Sequence, residues 1–225
     1  MVDRYAVFMD GDRALKQHTS RWARGVALCA LIVCAPASSA QTETELTIGG
    51  DGDWTQTTAP EPGSDAAVIA EARRLIADDR PGRAFGVIDD WLEEHKLTRH
   101  PLLAQAYLVR GDARLARGDE YKALFDNETV IKDFPSDSAF VTSISRELDI
   151  GTRYLHGLRR KWLGLARIEN AEPLGTELLM RVQERLPGSR LAERAAIELA
   201  DYFYREGDLE LAAQMYDILL RNFPD

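Results

Sequence analysis

Side chains that commonly perform catalysis or bind metals are few in this sequence of 225 residues. There are two cysteines, Cys29 and Cys34, and four histidines. His95 and His100 stand five residues apart across a turn, so they share no helix face, and neither has a carboxylate at ligand spacing. No glycine-rich phosphate loop or nucleophile-elbow motif occurs. The sequence therefore predicts a protein that is not an enzyme, with no catalytic residue, metal or cofactor.

Arginines are the second group whose spacing points to a function. Arg146, Arg153 and Arg160 are seven residues apart, so on one continuous helix they would form a basic stripe. Guanidinium groups hydrogen-bond carboxylates bidentately, so such a stripe could hold an acidic segment or a terminal carboxylate of a partner protein. The residues predicted to bind a partner are Arg146, Arg153, Tyr154, Arg160, Trp162, Arg194, Tyr204 and Arg205. The alternative is that these charges pair with Glu147, Asp149 and neighbouring helices.

Residues 1–40 have the pattern of a signal peptide. Basic residues precede an apolar run from Val26 to Ala35, and small residues follow at Ser38 and Ala40. This order predicts export, with cleavage after Ala40. Lipidation of Cys34 stays open as the alternative.

The residues after the predicted cleavage site are more acidic than the whole chain. Residues 1–40 contain five of the 28 Lys and Arg, three of the 37 Asp and Glu, and both cysteines. The remaining chain has a net charge of −11, against −9 for the full sequence, and cannot form a disulfide. Because polyanion binding needs clustered basic residues, nucleic acid is excluded as the expected partner.

Two segments that differ in composition and in apolar periodicity follow the predicted signal peptide. Residues 41–64 are polar and show no apolar period, which predicts a disordered, flexible linker. From residue 65, apolar residues recur every three or four positions, and Pro and Gly fall between the runs. Residues 65–225 are therefore predicted to be all-α, without strands.

The helical region contains an internal repeat. A Gly is followed five residues later by Ala and seventeen residues later by Pro, in Gly118, Ala123 and Pro135 and again, 89 residues on, in Gly207, Ala212 and Pro224. Gly permits a tight turn, Ala permits close helix packing, and Pro ends the second helix. With Pro187 closing a third unit and Tyr216 in register, the pattern resembles tetratricopeptide repeats. That resemblance implies a right-handed solenoid of antiparallel helix pairs.

A closer resemblance rests on how the repeats end. The closures Lys132-Asp-Phe-Pro135-Ser and Arg221-Asn-Phe-Pro224-Asp, behind a signal peptide and a polar linker, resemble the periplasmic BamD/YbgF-like proteins, in particular BamD of planctomycete-like bacteria. The resemblance implies a scaffold for outer-membrane β-barrel assembly. Its partners would be barrel-assembly subunits or unfolded outer-membrane proteins.

The same resemblance implies a location and leaves alternatives open. The protein is expected in the periplasm or at the periplasmic face of the outer membrane, with membrane association only peripheral or through a lipid anchor. The alternatives are a YbgF-like coordinator of cell-envelope constriction and an accessory subunit of an envelope enzyme. Because an uncapped solenoid end exposes apolar surface, we expect further chain or a partner beyond Asp225.

Overall fold

The computed structural model describes residues 44–48 and 54–223. The predicted signal peptide, both cysteines and Pro224 lie outside these residues. Strands β1 (Thr44–Ile48) and β2 (Trp54–Thr58) pair antiparallel, with Ile48 opposite Trp54. These strands are regular structure within the segment that was predicted to be a disordered linker. Threonine and other β-branched or aromatic residues, which favour strands, account for them.

Eight helices follow in the described part of the chain. They are α1 (Asp65–Ala77), α2 (Pro81–His95), α3 (Leu103–Ala116), α4 (Glu120–Asp133), α5 (Ala139–Leu155), α6 (Glu172–Arg185), α7 (Arg190–Glu206) and α8 (Leu209–Asn222). Each helix packs against the next, and α1, α3, α5 and α7 also contact one another in that order. The mostly helical character predicted for residues 65–225 is thus confirmed for the described part, and no described helix is long and apolar enough to cross a membrane.

Local sequence explains where the helices begin and end. The Ser64 and Ser189 side chains accept hydrogen bonds from the backbone N–H groups of Ala67 and Ala192, which caps α1 and α7. Gly118 and Gly207 have φ of 70° and 80°, the left-handed region that glycine enters without steric cost. The helices α4 and α6 end just before Pro135 and Pro187.

A close helix contact joins α5 and α6 through two glycines. A Cβ placed on Gly175 would lie 2.9 Å from the carbonyl oxygen of Gly151, and one on Gly151 would collide with the Leu179 side chain. The two backbones therefore approach as closely as glycine allows. On either side of this crossing, Leu148 and Leu178 are almost fully buried.

A β-hairpin interrupts the helices between α5 and α6. Strand β3 (Arg160–Trp162) pairs antiparallel with β4 (Ala166–Glu169). The prediction that residues 65–225 contain no strand is therefore wrong. The strands have three and four residues, too short to produce a recognisable alternation. Glycines with positive φ flank and turn the hairpin, at Gly157 and Gly164.

Candidate partner-binding groove

A groove of about 560 Å³ is lined only by residues of α1, α3, α5 and α7. Ile76 contributes from α1, Asp112 from α3, Arg146 and Arg153 from α5, and Arg194 from α7. Three of the eight residues predicted to bind a partner therefore meet in one concave surface. Helices far apart in sequence supply them because each odd-numbered helix packs beside the next one.

Within the groove, Arg146 is already paired. Its Nε donates a 2.6 Å hydrogen bond to Asp112 Oδ1, and its Nη2 lies 3.4 Å from Asp112 Oδ2. The hydrogen bond with Asp112 raises the pKa of Arg146 above its usual range, although burial opposes this. The alternative interpretation of the basic residues, pairing with neighbouring helices, therefore holds for Arg146, which joins α3 to α5.

Arg153 and Arg194 are the groove cations with donors left for a ligand. The Arg153 side chain is 58% exposed, and its Nη1 lies 4.0 Å from Glu120 Oε1, beyond hydrogen-bond distance. The Arg194 side chain is 54% exposed and lies 3.4 Å from Asp149. Thr152 also lines the groove, and its hydroxyl is buried without a hydrogen-bond partner among the described residues. The groove thus offers two guanidinium groups to a carboxylate.

The other predicted residues lie elsewhere, so the single basic stripe is wrong. Helix α5 ends at Leu155, which puts Arg160 and the half-exposed Trp162 on the hairpin strand β3. Arg160 Nε donates to Glu169 Oε2 at 2.5 Å, and its guanidinium lies 4.4 Å from the centre of the Tyr121 ring. Seven-residue spacing aligns side chains only on a continuous helix.

Two predicted residues lie on α7, outside the groove. Tyr204 is 63% exposed, and Arg205 Nη2 is 3.4 Å from the carbonyl oxygen of Leu155. Neither lines the groove described above. Arg205 instead joins α7 to the end of α5.

Tyr154 is buried, so its predicted contact with a partner is wrong. It is 1% exposed, and its hydroxyl has no hydrogen-bond partner among the described residues. Burial and the nearby Glu120 carboxylate raise the pKa of Tyr154 to about 12. Its ring packs with Ile150 and Leu178, so Tyr154 serves the core.

The unpartnered hydroxyl of Tyr154 is expected to lower the stability of the wild-type protein. Tyr154→Phe should raise the free energy of unfolding by about 1 kcal/mol, because a buried polar group without a partner costs desolvation energy. Urea denaturation measures the change. Tyr216→Phe is the control, since the Tyr216 hydroxyl donates to Asp201 and its loss should give no gain. A less stable Tyr154→Phe variant would show that the hydroxyl has an unseen partner.

His95 and His100 both lie within 4.0 Å of Asp65, a carboxylate that is distant in sequence. Asp65 Oδ2 lies 3.2 Å from His100 Nε2, and Asp65 Oδ1 accepts a 2.8 Å hydrogen bond from Trp91 Nε1. The Trp91 hydrogen bond lowers the pKa of Asp65. Asp65 starts α1, thirty residues before His95, so local spacing could not reveal it. The His95 ring stacks on Trp91 at 4.2 Å, and the cluster ties α1 to the end of α2.

The described residues contain no group of three or more His, Cys, Asp or Glu side chains placed to hold a metal ion. In comparisons with known proteins, no family model matches the chain, and no curated protein matches it either. Functional assignment therefore rests on the groove and on the sequence pattern.

Proposed function

We propose that this chain is a non-enzymatic, periplasmic scaffold of tetratricopeptide type, resembling BamD, that binds partner proteins during outer-membrane β-barrel assembly. Support comes from the repeated Gly, Ala and Pro positions, and from eight described helices that each pack on the next. In solenoids of helix pairs, stacked helices create an extended concave surface for partners. The contacts from α1 through α3 and α5 to α7 supply such a surface here.

The observation that carries the proposal is the groove lined by Arg153 and Arg194. A partner segment with a carboxylate would accept hydrogen bonds from both guanidinium groups, while Ile76 and Leu115 contact its apolar atoms. Arg194 lies 3.4 Å from the partially exposed Asp149, which also lines the groove. The proposed ligand is therefore an acidic peptide segment or a C-terminus of another protein.

Charge reversal in the groove tests this function. The double variant Arg153→Glu/Arg194→Glu should retain at most about a tenth of the partner captured by the wild-type chain, because two charge-assisted hydrogen bonds are replaced by repulsion. Capture is measured by affinity purification from cell envelopes, with circular dichroism to verify helix content.

A matched control carries the same change in net charge. Arg83 and Arg190 are exposed residues in the first turns of α2 and α7, where glutamate is well accommodated. The variant Arg83→Glu/Arg190→Glu should capture as much partner as the wild type. Equal loss in both double variants, or no loss in the groove variant, would contradict the groove as the binding site.

A further inference from the structure

The β3–β4 hairpin exposes four large apolar side chains that lie within seven residues of sequence. Leu163 is 76% exposed, Leu165 is 81% exposed, and Trp162 and Ile168 are about half exposed. Soluble proteins seldom leave four large apolar side chains together in solvent, and such patches mark interaction sites. The hairpin lies between α5 and α6, and these four residues stand outside the groove described above.

The turn holds a leucine in a conformation that leucine disfavours. Leu163 has φ of 49° and Gly164 has φ of 76°, and the Leu165 N–H donates to the Trp162 carbonyl oxygen at 3.0 Å. Positive φ at both central residues is typical of a type I′ turn, where Asn or Gly is preferred. Asn at position 163 would adopt this positive φ at a lower energetic cost. It would also leave no large apolar side chain exposed to solvent. The sequence instead has an exposed leucine at a conformational cost, which points to a role for that side chain.

The hairpin and the α3–α4 turn that it contacts are rich in basic residues. Residues 115–122 and 156–169, which form the hairpin and the α3–α4 turn beside it, contain six Lys and Arg but three Asp and Glu. Arg167 donates to Glu120 and to the Gly118 carbonyl oxygen, and Lys161 donates to Asp119, so the two segments are in contact. Pairing with the three acidic groups leaves a local charge of +3 in a chain whose total is −9.

We propose that the hairpin inserts into the headgroup region of a membrane that contains anionic lipids. Leu163 and Leu165 would enter the acyl boundary, Trp162 would lie at the interface that tryptophan prefers, and the surrounding cations would contact lipid phosphates. A lipid surface fits better than a protein pocket, because leucine is under-represented at protein hot spots and because Lys and Arg outnumber acidic residues in the hairpin and the turn beside it. This surface is separate from the groove and does not depend on the proposed scaffold function.

The variant Leu163→Asn tests insertion with two readouts that should change in opposite directions. The full chain is mixed with phosphatidylcholine vesicles that contain one quarter phosphatidylglycerol, and bound protein is measured by co-sedimentation. Because Leu163 would be buried in the membrane in the bound state, its loss should weaken vesicle binding about tenfold. The melting temperature should rise, because asparagine tolerates positive φ. Weaker binding by a more stable variant cannot result from misfolding.

The matched control is Leu97→Asn, which removes a leucine that is 94% exposed but distant from the hairpin in sequence. It should bind vesicles like the wild type. Residues 1–40 are present in all variants, so any difference in vesicle binding between two variants results from the substituted position. Pure phosphatidylcholine vesicles should bind all the proteins more weakly. Equal vesicle binding by Leu163→Asn and wild type would overturn the proposal, and so would a Leu163→Asn variant that keeps vesicle binding but no longer captures a protein partner.

Discussion

Gly175→Ala is expected to lower the free energy of unfolding by about 3 kcal/mol, near the upper end for an overpacked core. The new methyl group would lie 2.9 Å from the Gly151 carbonyl oxygen and about 3.0 Å from the side chains of Leu155 and Tyr154. A backbone oxygen cannot rotate away, so α5 and α6 must separate and lose their packing. Chemical denaturation followed by circular dichroism at 222 nm measures the change.

Gly86→Ala supplies the matched control for this substitution. Gly86 lies in the interior of α2, and a Cβ added there meets no atom within 4 Å. Alanine is favoured over glycine in a helix, so this variant should be about 0.5–1 kcal/mol more stable than the wild type. If Gly175→Ala were also neutral or stabilising, the close α5–α6 crossing would be wrong.

Glu147→Gln is expected to become the more stable protein at high pH, by about 4–5 kcal/mol at pH 9. Glu147 is 1% exposed, and it accepts a hydrogen bond from Arg185, which also donates to Glu128. Burial and the Glu128 charge raise the pKa of Glu147 to about 8. Burial opposes ionisation of Glu128 too, but hydrogen bonds from Lys132 and Arg185 lower its pKa to about 2. At neutral pH the pair therefore holds one proton, on Glu147.

The direction of the pH effect follows from where each state loses that proton. The unfolded chain releases it near the ordinary glutamate pKa of 4.5, whereas the folded protein keeps it up to about pH 8. The contribution of Glu147 to the free energy of unfolding of the wild type is therefore fully present below pH 4.5, and it decreases as the pH rises to 8. Glutamine does not titrate and keeps a donor for Glu128, so the two proteins should be similar at pH 4.5.

Urea denaturation of both proteins between pH 4.5 and 9 measures this difference. Glu177→Gln is the control, because Glu177 is about half exposed and pairs with Arg181 one turn away on the same helix. Its stability difference from the wild type should stay nearly constant over the same range, since exposed ion pairs contribute little. A Glu147→Gln difference independent of pH would mean that Glu147 is ionised in the folded protein.

Local sequence was sufficient to predict most of the helical region. The Gly and Pro positions predict the joints after α3, α4, α6 and α7, because caps and turns depend on neighbouring residues alone. Gly118 and Gly207 adopt the left-handed conformation that a tight turn requires. Ala123 and Ala212 are almost fully buried, as close helix packing requires.

Features that depend on distant residues could not be predicted in the same way. Asp126 is 1% exposed and bonded to Arg110 and Arg114, and Glu147 pairs with Arg185 thirty-eight residues away, so both acidic residues belong to the core. Arg153 and Arg194 share a groove only because α5 packs on α7. No spacing rule connects positions on different helices.

The hairpin between α5 and α6 marks the largest departure from the sequence prediction. A helix continued to Arg160 would have aligned it with Arg146 and Arg153, but Gly157, with φ of 89°, follows the end of α5 and redirects the chain. Strands of three and four residues give too weak a period to be recognised beside long helices. The basic residues therefore divide between the groove and the hairpin.

The most direct test of the scaffold proposal is the identity of what the groove captures. Affinity purification of the wild-type chain and of Arg153→Glu/Arg194→Glu from cell envelopes, followed by mass spectrometry, compares the two sets of bound proteins. We expect the wild type to recover a barrel-assembly subunit or unfolded outer-membrane proteins, and the groove variant to recover at most about a tenth as much. Recovery of only division proteins, or equal recovery by both chains, would contradict the scaffold proposal.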